Sequence, residues 1–364
     1  MNMQTTPFIE YLESMGYKVE LNNGDNFIKN YDNSEGAINS LYDGVGLRNI
    51  SHSGIIELKG NDVVDFVNRI STNDVKNLPK EGIVNTIFLN EKGKIIDLTT
   101  LLNFESHQLL ITSVEFKNKV ATWINKYVIT DDVKTFVTEN KYNIFELLGP
   151  QAESFVTLIC GNIINQIQPN TFKIIHTEGM LFFIAKIKDI KGNIKYWTIA
   201  DDENAKRLMK YILENKGVFN FSFVGEDIYN SYRIEQGMPA APYEINDEIN
   251  PHEAGLMEIV NNTKGCYIGQ EVVARLETYD KIQKFISGIE FMEQPLPEAR
   301  FILQDESGKE AGNITSYVYS LKLKKYIGLG FIRKAFRESD SELIAKDQFH
   351  RIIPVMVKSL PFKR

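Results

Sequence analysis

The apolar pattern changes once along this chain, and that change limits the folds open to it. Up to about residue 283, stretches with helical spacing alternate with strand-like stretches. From about Lys284 only short strands remain: ISGIEFMEQPLP, RFILQDESGKEAGNITSYVYS, YIGLGFI and RIIPVMVKSLPF, separated by proline and glycine. The tail therefore reads as a small all-β barrel or sandwich, and the part before it as α+β. A chain of 364 residues exceeds one ordinary core, so two or three domains are expected, and 43% hydrophobic residues can fill them.

Within the mixed part, Thr6 as N-cap, Pro7 at the first helical position and Gly16 as a stop predict a short helix. The polar run NNGDNFIKNYDNSEG that follows reads as a loop. SGIIELKG is a strand, after which Asn61 opens a helix with Val63, Phe66, Val67 and Ile70 on one face. VNTIFL and KIIDLTTLL form a hairpin through Asn90–Gly93, where Gly93 supplies the positive φ of a tight turn. The strand HQLLITS comes next, then a helix with Phe116, Val120, Trp123, Ile124 and Tyr127 at helical spacing, capped by Ser113, then the strand VKTFVTE. Residues 53–138 thus predict an α+β unit with helices on one side of a mostly antiparallel sheet.

IFELLGPQAESFVTLICG reads as a strand running into a helix that carries Cys160 on its apolar side, a core position. Strands at FKIIHTE, MLFFIAKIKDI and NIKYWTIA precede a helix at DENAKRLMKYILENKG. At INPHEAGLMEIV, Asn250, Pro251 and Glu253 make a capping box that predicts a further helix, and QEVVARL opens another.

Charge and cysteine content narrow the function. With 41 basic against 48 acidic residues the net charge is −7, so no direct grip on nucleic acid is expected. Two cysteines, Cys160 and Cys266, build no disulfide framework, and neither sits in a CxxC pair. No signal or transit pattern is visible in the first residues, and no apolar run nears the roughly 18 residues of a membrane span. A cytoplasmic protein that meets no membrane is expected. GLGF at 328–331 lacks the full glycine pattern of a dinucleotide site.

Cys266 lies in KGCYIGQEVVAR, in a glycine-bracketed turn before a helix. The macrodipole and Lys264 favour a thiolate there, while Glu271 opposes it. Local chemistry leaves a reactive thiol and a small buried turn residue equally open, and no histidine is near in sequence.

That string, with SYRIEQGMPAA ahead of it, resembles the signature of the YgfZ-type branch of the folate-binding, glycine-cleavage T-protein-like superfamily. LKGNDVVDFVNRISTNDVKNL, FLNEKGKIIDLTTLL, LLGPQAESF and EAGNITSYVYSLKLKKYIGLGFI are similar to the same superfamily in the same order, so the resemblance covers the chain from about Leu41 onward. It implies an α+β fold of three domains ringed round a central folate channel. Residues 1–52 with 139–283 would form a folate-binding domain, 53–138 a ferredoxin-like domain and 284–364 a C-terminal β-barrel. A monomer suffices.

The resemblance also implies chemistry. Cys266 would be a working thiol. Asp97 corresponds to the first of an Asp-Asp pair that approaches the reactive nitrogens of folate; the second position is Leu98. Arg233 and Glu235 would line the folate cavity, Arg233 facing carboxylates or pterin, with Lys264 and Gln270 of the signature beside them. Asn193 stands near the place of a Thr-Gly-Glu segment that T-proteins use for the pterin. The implied cofactor is tetrahydrofolate or a related folate. The implied role is support of iron-sulfur cluster assembly or repair, with iron-sulfur proteins or assembly factors as partners and effects on cluster-dependent tRNA-modifying enzymes. One-carbon transfer by an aminomethyltransferase is the alternative, and a scaffold that keeps only the fold is another.

Overall fold

The computed structural model describes residues 7–21, 28–104, 106–138 and 141–363. The chain divides into two compact units, one of Met1–Val63, Lys76–Val84 and Thr100–Tyr229, the other of Val64–Val75, Asn85–Thr99 and Asn230–Arg364.

In chain order the elements begin with α1 (Pro7–Ser14), β1 (Val19–Leu21), β2 (Ile28–Tyr31), α2 (Ser34–Asp43), β3 (Val45–Asn49), β4 (Gly54–Lys59), α3 (Val63–Ile70), β5 (Ile83–Leu89), β6 (Ile95–Asn103), β7 (Gln108–Thr112), α4 (Lys117–Tyr127) and β8 (Lys134–Thr138). They continue with β9 (Asn143–Leu148), α5 (Ala152–Cys160), β10 (Thr171–Thr177), β11 (Met180–Lys188), β12 (Ile194–Ala200), α6 (Asp202–Asn215), β13 (Phe221–Phe223), α7 (Glu226–Glu235) and α8 (Gln270–Thr278). The C-terminal strands are β14 (Lys284–Phe291), β15 (Phe301–Gln304), β16 (Glu310–Ser320), β17 (Lys325–Arg333), β18 (Glu342–Asp347) and β19 (Ile352–Lys358).

The first unit is built on a six-stranded sheet of order β10-β11-β12-β9-β3-β13, antiparallel except where β13 runs parallel to β3. Alternation puts Phe145, Leu147, Ile184 and Tyr196 on one face, in a core with Phe155, Leu208 and Ile212 of α5 and α6. The opposite face carries Ile144, Trp197 and Ile199, which pack with Ile55, Leu102, Leu109 and Ile111 of β4, β6 and β7. The strands expected over 53–138 are all present, in a sheet of order β5-β6-β7-β4-β8. Cys160 packs against the first core, and burial pushes its thiol up to about 12, which makes it inert.

In the second unit the tail closes as a six-stranded barrel, β14-β17-β16-β15-β18-β19. Its interior is filled by Ile289, Phe301, Leu303, Ile332, Ala345, Ile353, Val355 and neighbours, and closure leaves no edge strand. The barrel, not the sandwich, is the form adopted, and the α+β class expected from the sequence is the class found.

The cap assigned to Thr6 lies outside the described residues. Three local expectations change. The polar run after Gly16 contains β2 and the start of α2: Ile28 and Tyr31 are buried, and the Asn33 side chain accepts from the Gly36 amide at 2.8 Å to start the helix. Helix α4 has Phe116, not Ser113, at its N-cap, because Ser113–Phe116 is spent on a turn in which the Phe116 amide donates to the Ser113 carbonyl at 3.1 Å. The capping box at Asn250 forms in both directions, at 2.9 and 3.0 Å, yet no α-helix follows it. The Glu253 carbonyl accepts the Ile286 amide of β14, so it is withdrawn from any helical ladder.

Candidate functional site

The signature cysteine stands on the loop between Asn261 and α8. The Asn261 amide donates to Thr72 O, and its side chain accepts from the Thr263 amide at 2.9 Å, which sets the chain direction into Lys264. Cys266 is exposed, and Tyr267 beside it is buried. The Gln270 side chain, at the first turn of α8, accepts from the Tyr267 amide at 3.3 Å and so closes the loop onto the helix that follows.

The glycine of that loop has a structural task. Gly269 takes φ +82°, and a Cβ there would lie 2.8 Å from the Asn90 carbonyl oxygen and 3.1 Å from Gly93 Cα. The loop therefore docks backbone to backbone on the β5–β6 turn, which is held by Asn90 N to Lys94 O at 2.9 Å. Just beyond that turn the Ile95 amide donates to Ile249 O at 2.8 Å and Lys94 pairs with Glu253 at 3.2 Å. Asp97 follows on β6. Gly269→Ala is expected to destabilise the fold by about 2 kcal/mol, since it adds left-handed strain to a backbone clash. Chemical denaturation measures it, and a parental midpoint would contradict the docking argument.

Asp97 is fully buried, with Oδ1 accepting the Leu98 amide at 2.9 Å. A buried carboxylate needs hydrogen bonds to offset its lost hydration, and it is well suited to accept from the N–H groups of a ligand.

Lys264 is half-buried; its ammonium donates to the Asn68 backbone carbonyl and lies 5.4 Å from the centre of the Tyr267 ring. Burial brings its pKa down to about 8, with Asp74 opposing the shift. Near pH 8 half of the molecules thus carry a neutral amine at this position, and the fraction grows as pH rises. In an NMR titration of methyl-labelled lysines, Lys264 is expected to titrate near pH 8 while exposed lysines titrate near about 10.4. Titration of Lys264 with the exposed group would remove this feature.

The other expected residues have their own partners. Arg233, near the end of α7, donates through Nε to Asn230 at 2.7 Å, through Nη1 to Met238 O at 3.2 Å and Glu244 at 3.0 Å, and through Nη2 to Ser316 of β16 at 3.0 Å. Four of its five donors are engaged within the protein, and the fork serves to pin α7 to the barrel rather than to stand open for a ligand. Glu235 accepts from Ser231 and Ser320 hydroxyls at 3.2 and 2.6 Å, a second pin of the same kind. Asn193 is exposed in the turn between β11 and β12, its side chain donating to Asp189 at 3.3 Å, in the first unit.

Sequence reasoning missed two partners. Glu244, fully buried, is the counter-ion of Arg233 and also accepts from the Thr315 and Ser316 hydroxyls. Asn68 receives Lys264 and also accepts the Val75 amide at 3.0 Å. Neither carries a motif, and only the fold pairs them.

Also unforeseen is a charged cluster inside the first unit. The Arg48 fork on β3 donates to both oxygens of Glu226 at 2.8 and 2.7 Å and to Glu146 at 3.2 Å, with its guanidinium 3.6 Å from the centre of the Tyr229 ring. Lys195 and Trp197 of β12 donate to Glu146 Oε1 at 2.6 and 3.0 Å. A signal existed: Arg48 in VGLRN and Glu146 in NIFELL are single charges inside apolar strand runs.

Comparison with known proteins bears on the whole chain. Residues 17–264 match the GCVT N-terminal domain, and residues 286–363 match the glycine cleavage T-protein C-terminal barrel domain. A putative chloroplastic transferase of Arabidopsis thaliana is 26% identical over 90% of this chain and 73% of its own length. Aminomethyltransferases of Bacillus licheniformis and Bacillus mycoides are each 25% identical, over 88% and 100% of this chain and 87% and 99% of their own. The crystal structure of glycine cleavage system aminomethyltransferase T from Bartonella henselae has a TM-score of 0.84 at 20% identity, covering 100% of this chain and 98% of that one, a likeness of fold.

Proposed function

Because the chain belongs to the glycine cleavage T-protein family, we propose that it binds tetrahydrofolate and moves a one-carbon unit with it, as an aminomethyltransferase does. The observation that carries this reading is the match to proteins named aminomethyltransferase along essentially the whole chain. The buried Asp97 carboxylate, whose Oδ1 accepts the Leu98 amide, supports it as a hydrogen-bond acceptor of the kind that N–H groups need. Folate supplies the carrier nitrogens; the protein supplies position and charge. Asp97 holds the reactive end and takes or returns a proton there, while Lys264, already donating to the Asn68 carbonyl, and Gln270, whose oxygen accepts the Tyr267 amide, offer a folate tail their remaining N–H donors. Arg233 and Glu235 have no part in this assignment, since their side chains are buried and bonded within the protein, and exposed Asn193 is given no role in it.

A second reading has its own observation. Cys266 is exposed, on a loop whose Lys-Gly-Cys-Tyr-x-Gly-Gln-Glu string resembles the YgfZ-type branch. On that reading the protein binds folate as an accessory factor for iron-sulfur cluster assembly or repair, and the thiol engages a partner's sulfur or iron.

One experiment separates them. Lipoyl carrier protein bearing an aminomethyl group is mixed with tetrahydrofolate and the protein, and methylene-tetrahydrofolate is measured. The transferase reading expects product, undiminished in Cys266→Ser. No product, together with loss of cluster-dependent enzyme activity in a Cys266→Ser strain, would replace it with the accessory reading.

A further inference from the structure

Thr72, just past the end of α3, is fully buried and uses every polar group it has. Its amide donates to Ile87 O at 3.0 Å and its hydroxyl oxygen accepts from the Ile87 amide at 3.1 Å, so it closes on both backbone polar groups of one residue in β5. The hydroxyl proton goes to Ile259 O at 3.2 Å, and the Thr72 carbonyl accepts the Asn261 amide at 3.0 Å. A hydroxyl both donates and accepts, so this one side chain joins two segments far apart in sequence.

These bonds fix where the loop of Lys264 and Cys266 begins. Ile87 and Asp97 lie on the two arms of one hairpin, each three residues from the Asn90–Lys94 turn. Thr72 thus roots the 259–261 segment on the arm that faces Asp97 across the hairpin, while Gly269 docks the far end of the loop on the turn itself. Between the two anchors stands Lys264, whose ammonium is received by the carbonyl of Asn68 on α3, four residues before Thr72.

We propose that Thr72 is a positioning residue of this site: its hydroxyl sets where Lys264 stands relative to Asp97, and through the loop it sets how tightly folate is held. The inference rests on the folate reading of the site. Thr72 touches no ligand. Valine in its place would keep the shape but leave the Ile87 amide and the Ile259 carbonyl without the hydroxyl, a cost the loop escapes by moving away.

The test uses the full chain with Thr72→Val and Thr72→Ser. Two readouts are taken on each folded variant: the NMR titration of methyl-labelled Lys264 and the calorimetric binding of tetrahydrofolate. Burial holds the Lys264 titration near pH 8, so a loosened loop in Thr72→Val should move it up toward that of exposed lysines. Folate affinity should fall by about tenfold, and Thr72→Ser should restore both. If Thr72→Val does not fold, Asn261→Ala takes its place, since it strips the half-buried side chain that accepts from the Thr263 amide and hydroxyl, both at 2.9 Å, and so shapes the same loop. It should shift both readouts in the same direction. A parental titration or parental folate affinity in the folded variant, as a merely structural role would leave them, or a Thr72→Ser variant that restores neither, would overturn the proposal. A parent that takes up no folate while Lys264 still shifts in Thr72→Val is a different failure: it overturns the folate reading, and with it any part of Thr72 in holding the ligand.

Discussion

Glu146→Ala is expected to lower the unfolding free energy by about 3–5 kcal/mol, because it removes the shared partner of a buried pair and leaves charge behind. Glu146 is 1% exposed and accepts from Arg48, Lys195 and Trp197. After truncation Arg48 keeps Glu226, but Lys195 and the indole N–H lose their acceptor. Burial alone would raise the pKa of Glu146; Lys195 and Arg48 more than offset it and hold the carboxyl at about 2, down from 4.5. A carboxyl with a depressed folded-state pKa adds stability above its unfolded value and loses it as pH falls through the folded one. The parent should therefore lose stability between about pH 4.5 and pH 2 through this group. Glu146→Gln, which keeps the shape, should lack that component. Urea melts from neutral to acid pH measure both, and equal midpoints for parent and Glu146→Ala at neutral pH would show that the cluster contributes nothing net.

The second large effect is on turnover. Asp97→Asn preserves the Oδ1 acceptor for the Leu98 amide, and circular dichroism of the variant checks that the strand still folds. It removes the negative charge and the proton acceptor. If Asp97 is the group that takes and returns a proton at the folate nitrogens, formation of methylene-tetrahydrofolate should fall by about 10²-fold or more. The loss should fall on kcat more than on KM, because a proton transfer is felt in the transition state. Parental kcat in the folded variant would remove Asp97 from the chemistry.

Much of the fold was legible because the sequence is locally consistent. The Asn90–Gly93 turn, the helical spacing of Val63 to Ile70 and the strands broken by proline and glycine after Lys284 each specify their element without outside help. What was lost depended on tertiary burial. Ile28 and Tyr31 are buried side chains in a mostly polar run, and Asn250–Glu253 is a capping box that no α-helix follows, the Glu253 carbonyl serving β14 instead.

The site was legible in part, and for a similar reason. Cys266, Lys264 and Gln270 travel together in one string, and Gly93 and Gly269 are visible there as turn residues, but only the fold brings the Gly269 loop onto the turn before Asp97. Arg233 was a different case. An arginine near a helix end reads the same whether its fork is open or closed, and only the fold supplies Glu244 and Ser316 to close it.

The most direct measurement is an anaerobic calorimetric titration of the protein with tetrahydrofolate. Saturable binding by the parent and by Cys266→Ser, clearly weakened in Asp97→Asn, is the predicted result. A parent that takes up no folate, or an Asp97→Asn variant that binds it as tightly as the parent, would contradict the assignment of this site.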